Sequence, residues 1–132
     1  MEMRKTRYAH YTLNYHFVWC PKYRRKVLTE EVAERLRMII DDIAGQMGFD
    51  VISLEVQPDH VHLFVSAPPK YSPAQLINAI KGASSRRLRR EFPELKGTVN
   101  EESLWTRTYY VGSAGHVSSE TIRRYIEECQ GI

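Results

Sequence analysis

Hydrophobic residues along this chain follow first one spacing and then another. Residues 11–20, YTLNYHFVWC, are rich in aromatic and β-branched side chains and end at Pro21, which predicts a strand. From Thr29 the apolar positions fall at Val32, Leu36, Ile39, Ile40, Ile43 and Met47, the stripe of an amphipathic helix, with Glu30 and Glu31 in its first turn and Gly48 as its stop. FDVISLEVQ then alternates with Ile52, Leu54 and Val56 on one side, and HVHLFVSA alternates with Val61, Leu63 and Val65. Only Pro58 and Asp59 separate the two runs, which predicts a hairpin.

A second helical stripe, Leu76, Ile77, Ile80, Ala83 and Leu88, runs from Pro73 to Glu91 and ends at Phe92-Pro93. LWTRTYYV, residues 104–111, predicts a fourth strand followed by a GSAGH loop. A last helix begins near Ser118 and carries Ile122 and Ile126 on one face. The order is β-α-β-β-α-β with an added helix. That is the α+β, ferredoxin-like arrangement, an antiparallel sheet with two helices on one face and the other face open. An open sheet face can carry a site, but the fold alone names no function.

Composition narrows the class. With 132 residues, 42% hydrophobic and 27% charged, the chain has the size and balance of a single domain spanning 1–132. No apolar run approaches the ~20 residues of a membrane span, and the N-terminus lacks the core of a signal peptide, so the expected location is the cytoplasm. Cys20 and Cys129 match no zinc or redox spacing, in keeping with a reducing compartment. The net charge of +3 says little, but its distribution is uneven: PKYRRK holds one basic cluster and SSRRLRRE the other.

Three features carry possible chemistry. His60 and His62 lie two apart on a strand, so they project together, away from the face of Val61, Leu63 and Val65. Two neutral imidazoles at that spacing are half of a divalent-metal site, or else surface histidines on a half-exposed strand. Tyr125 lies between Ile122 and Ile126 on the last helix, as a core tyrosine or as a nucleophile able to form an ester with phosphorus. Arg86, Arg87, Arg89 and Arg90, preceded by Lys81, Ser84 and Ser85, form a solvated basic face or a strip for phosphates.

Together the segments YHFVWCPKYRRKVL (15–28), QPDHVHLFVSAPPKYSPAQLINAIKGASSRRLRREFPEL (57–95) and LWTRTYYVGSAGHVSSETIRRYIEE (104–128) resemble one family. It is the single-tyrosine transposases of the insertion-sequence 200/605 group, within the HUH (His-hydrophobic-His) nucleases. The resemblance implies that His60 and His62 hold Mg²⁺ or Mn²⁺ and that Tyr125 attacks a DNA phosphodiester, giving a 5′-phosphotyrosine and a free 3′-hydroxyl. It also implies single-stranded DNA with hairpin ends as substrate and a homodimer; the basic strip of the second helix in turn suggests nucleic-acid contacts from Lys81, Arg86 and Arg90. The family's third ligand is a glutamine four residues after the tyrosine. Here Cys129 stands at that position, which leaves Gln130 as the expected ligand and Glu128 or Asp59 as alternatives. A non-catalytic or domesticated single-strand binder of the same fold is the competing reading.

Overall fold

The computed structural model describes residues 4–5, 10–11, 13–96, 103–113 and 119–128. Arg4–Lys5 (β1) and His10–Tyr11 (β2) pair with each other as a small antiparallel ribbon. Asn14–Trp19 (β3), Asp50–Gln57 (β4), His60–Ser66 (β5) and Tyr110–Ser113 (β6) form the main sheet, in the order β4-β5-β3-β6 and antiparallel throughout. Glu30–Met47 (α1) and Pro73–Glu91 (α2) are the two long helices, and Ser119–Glu128 (α3) follows the last strand. This is the expected α+β, ferredoxin-like architecture.

Local chemistry explains where the helices begin and end. The Thr29 hydroxyl accepts the Val32 N–H at 3.3 Å to cap α1, and Gly48 leaves the helix with φ +80°, a conformation that costs glycine nothing. Ahead of α2, Ser72 and Gln75 form a reciprocal capping box, with bonds of 3.1 and 2.8 Å, and Pro73 takes the first helical position. The apolar stripes then meet the sheet: Leu36, Ile39, Ile40, Leu76, Ile77 and Ile80 are buried with Phe17, Trp19, Val61, Leu63 and Val65. Each such burial contributes roughly 1.5–3 kcal/mol.

Three sequence expectations move. The first strand is shorter than residues 11–20, because His10 and Tyr11 pair with β1 instead of extending β3. In β4 the register shifts between Val51 and Ser53, so Ile52 is pushed out to 45% exposure while Val51 packs on the core. The fourth strand is Tyr110–Ser113, not residues 104–111.

The reason for the last shift lies in α2. Leu104, Trp105 and Thr106 are buried in succession, at 0, 1 and 1% exposure, which the two-sided alternation of a strand cannot give. Their polar groups are met from elsewhere. The Ser85 hydroxyl accepts the Leu104 N–H and the Ser84 hydroxyl accepts the Trp105 indole N–H, both at 2.9 Å. The Leu104 carbonyl accepts from Lys22 N at 2.9 Å, and Thr106 N donates to the Cys20 carbonyl at 3.0 Å. Ser84 and Ser85, grouped by sequence with the phosphate strip, therefore serve the interior.

Candidate active site

On β5 the alternation is strict: Val61, Leu63 and Val65 are fully buried toward the helices, and His60, His62 and Phe64 are half-buried on the opposite face. Strand β3 alternates in the same sense, with Phe17 and Trp19 toward the helices, and pairs Val18 with His62 and His16 with Phe64. His16 therefore shares the histidine face. Its ring stacks on Phe64 with centroids 4.0 Å apart and lies edge-on to Tyr110 at 6.0 Å.

Both histidines of the pair are engaged through Nδ1. His60 Nδ1 lies 2.8 Å from Asp59 Oδ1, and an ionised carboxylate can only accept, so this nitrogen carries a hydrogen, and in the neutral ring the lone pair is on Nε2. The other oxygen, Asp59 Oδ2, accepts from Arg24 Nε at 2.7 Å. Each Asp59 oxygen thus accepts one hydrogen bond, from Arg24 on one side and His60 on the other. His62 Nδ1 lies 3.1 Å from His16 Nε2, one ring donating and the other accepting. The two rings of the pair stand 5.0 Å apart between centroids, inclined at 76°.

Burial and neighbouring charges shift the titration of several groups on this face. Burial lowers the His62 pKa, and neighbouring His60 lowers it further against the opposing pull of Glu55. His16, 2% exposed, is pushed down to about 4 by burial and then by His62. Burial alone would raise the Asp59 carboxyl, but the hydrogen bonds from Arg24 and His60 outweigh it and hold the group below its ordinary range. His62 is thereby favoured as the neutral imidazole and Asp59 as the ionised carboxylate.

The last helix reaches the same face. Ile126 is buried against Val18 and Cys20, with Tyr110 and Tyr125 partly buried beside it, so α3 covers part of the sheet face that the two long helices leave open. Val18 is the cross-strand partner of His62, which sets Tyr125 on the histidine side of the sheet. The Tyr125 hydroxyl donates to the Thr108 carbonyl at 3.1 Å. Lys81 donates to the same carbonyl at 3.1 Å and to that of Thr106 at 2.6 Å, so its ammonium group braces the segment beneath the tyrosine.

The remaining sequence-predicted residues divide. Arg86 and Arg90 are exposed on α2 and make no ion pair with a described residue, whereas Arg87 pairs with Asp42 at 2.8 Å. Gln130 lies outside the described residues, as does Cys129. Among the described residues no group of three or more His, Cys, Asp or Glu side chains is arranged to hold a metal ion. A neutral His60 ring keeps its lone pair on Nε2, and His62 does so in the tautomer in which its Nδ1 donates to His16. Sequence reasoning missed His16 and Arg24. The alternation of YHFVW put His16 out of phase with the core, but only strand pairing brings it to His62.

Comparison with known proteins settles the class. Residues 9–129 match the family described as Transposase IS200 like. This chain belongs to the IS200-like transposase family. It is 43% identical to the ISDra2 transposase TnpA of Deinococcus radiodurans, over 96% of this chain and 91% of that protein. It is 29% identical to the transposase for insertion sequence element IS200 of Salmonella typhimurium, over 91% and 78%. A crystal structure of a Deinococcus radiodurans transposase superposes with a TM-score of 0.88 at 41% identity, covering 96% of this chain and 98% of that one. A REP-associated tyrosine transposase, solved bound to a REP hairpin, shares the fold with a TM-score of 0.58 at 15% identity, over 93% and 69%. IS200-like transposases cleave DNA and transfer strands. No helix among the described residues is long and apolar enough to cross a membrane.

Proposed function

We propose that this transposase cuts and rejoins single-stranded DNA at hairpin-bearing element ends, as a cytoplasmic homodimer, with Tyr125 as nucleophile. The observation that carries the reading is a shared sheet face: an outward histidine pair, each ring engaged through Nδ1, beside a helix that delivers a tyrosine. His60 and His62 would hold Mg²⁺ or Mn²⁺, with Gln130 as third ligand. The chemistry supplied there by a bound divalent cation would be polarisation of a phosphodiester and offset of its negative charge. Imidazole nitrogens of the pair suit such an ion as half a site, His62 in the tautomer in which its Nδ1 donates to His16, with oxygen donors to complete it.

The chain's own residues do the rest. The Tyr125 oxygen attacks phosphorus, its hydroxyl proton leaves, and the bond to the 3′-oxygen breaks. That oxygen departs as a 3′-hydroxyl, and the 5′-phosphate stays esterified to Tyr125. A 3′-hydroxyl of another strand then reverses the chemistry, so joining needs no nucleotide cofactor. At rest the Tyr125 hydroxyl donates to the Thr108 carbonyl, which leaves the lone pairs of its oxygen free. Arg86 and Arg90 supply exposed cations for the strand's phosphates. Lys81, with its contact to the Thr108 carbonyl, meets DNA next to the tyrosine.

The test is covalent capture. Incubated with single-stranded DNA carrying the element's hairpin end and Mn²⁺, the protein should give an adduct that survives denaturing gels. Tyr125→Phe should abolish it, and His60→Ala and His62→Ala should each reduce it at least a hundredfold with the fold retained. An adduct formed by the Phe variant refutes the nucleophile. Strand binding without any adduct in the wild type favours the non-catalytic binder.

A further inference from the structure

The strand turn after Pro21 holds consecutive non-glycine residues in the left-handed region, Tyr23 at φ +61° and Arg24 at φ +53°. Side chains other than glycine's rarely adopt this conformation unless the surroundings hold them in it. The turn is fixed at its base, where Lys22 N donates to the Leu104 carbonyl at 2.9 Å and Arg24 N to the Pro21 carbonyl at 2.8 Å. Its product is one contact. The Arg24 side chain reaches across to the β4–β5 hairpin and donates to Asp59 Oδ2 at 2.7 Å, while Tyr23 turns out to 54% exposure.

Asp59 is itself 8% exposed, and its second oxygen is the acceptor for His60 Nδ1 at 2.8 Å. Arg24, Asp59 and His60 thus form a chain of charge-assisted hydrogen bonds from the strained turn to the histidine ring. A carboxylate gripped on one oxygen cannot swing, so the other oxygen stays on the imidazole and fixes both the ring plane and the position of its hydrogen.

We infer that Arg24 is a positioning residue for His60, acting through Asp59 to lock the ring with Nε2 presented as an electron-pair donor toward the cation and DNA. The inference rests on the metal reading proposed above. It assigns the strained turn a purpose: the backbone departs from ordinary geometry where the guanidinium must meet the hairpin.

The experiment uses the whole protein and reads His60 in two ways. Long-range ¹H–¹⁵N spectra of the metal-free wild type should show His60 as a single tautomer with hydrogen on Nδ1. Mn²⁺ titration followed by electron paramagnetic resonance then gives ion affinity without any turnover. Arg24→Gly is the informative variant, since glycine accepts the same φ freely and keeps the turn while deleting the guanidinium. It should keep a native circular dichroism spectrum, show mixed His60 tautomers, and bind Mn²⁺ about 10–100-fold more weakly. Arg24→Lys should recover part of the loss. Asp59→Asn should behave like Arg24→Gly and makes the same comparison should the glycine variant fail to fold. A single Nδ1–H tautomer and wild-type Mn²⁺ affinity in Arg24→Gly or Asp59→Asn, alongside lost affinity in His60→Ala, would overturn this inference alone. Unchanged Mn²⁺ affinity in His60→Ala would overturn the metal reading itself.

Discussion

The protonation of His16 should set the acid limit of this fold. The ring is 2% exposed, stacked on Phe64 and facing His62, and its pKa falls from the ordinary 6.5 to about 4. In the unfolded chain the same imidazole takes its proton near the ordinary value. Between those two pH values the unfolded state binds more protons than the folded one, so stability rises with pH through this window and is lost as pH falls. The full depression corresponds to ~3 kcal/mol, of which ~2 kcal/mol is already gone at pH 5. Against a typical domain stability of about 5–15 kcal/mol this is a large share.

Asp59 works in the same direction but lower. Its carboxyl is depressed below 3.8, so its contribution is present above that value and disappears only as pH falls through the folded one. The two windows are therefore separable. His62 is also lowered and adds to the same slope, so the measurement compares wild type with His16→Phe, which keeps an aromatic ring against Phe64 and leaves His62 in place. Urea denaturation followed by tryptophan fluorescence at pH 7 and pH 5 should show the wild type losing about 2 kcal/mol more than the variant. Equal losses in both proteins would show that His16 is not held neutral by its burial, and the electrostatic account of the histidine face would fail with it.

Two further outcomes follow from particular side chains. Ser84→Ala leaves the buried Trp105 indole N–H without its 2.9 Å acceptor and should cost about 1–3 kcal/mol in the same denaturation assay, whereas a change under ~0.5 kcal/mol would mean that the indole finds another partner. Replacing both Arg86 and Arg90 with Gln should weaken single-stranded DNA binding and flatten the salt dependence of log K by up to ~1.4, at ~0.7 for each phosphate that is no longer neutralised. An unchanged slope would assign those exposed guanidinium groups to solvation.

Much of this protein is written in local spacing. The helical stripes of α1 and α2, their Thr29 and Ser72 caps, the Pro58-Asp59 hairpin and the outward phase of His60 and His62 all follow from residues near one another in the chain, because helix and strand periods are properties of the backbone itself. The fourth strand was misjudged for the same reason. LWTRTYYV has the composition of a strand, yet Leu104 and Trp105 are claimed by Ser85 and Ser84 on a helix about twenty residues earlier.

The candidate site divides along the same line. The histidine pair, Tyr125 and the arginine strip were legible from residue type and spacing. What supports them was not. His16 meets His62 across 46 residues of chain, Arg24 meets Asp59 across 35, and the Thr108 carbonyl meets both Lys81 and Tyr125. The first two meetings exist because sheet order β4-β5-β3-β6 lays β3 beside β5 and brings the Pro21 turn to the hairpin, and the third because α2 and α3 pack on the segment before β6. Sequence determined which chemical groups share a face. Tertiary structure decided which partners those groups meet, since hydrogen bonds between distant segments form only after the apolar stripes have packed.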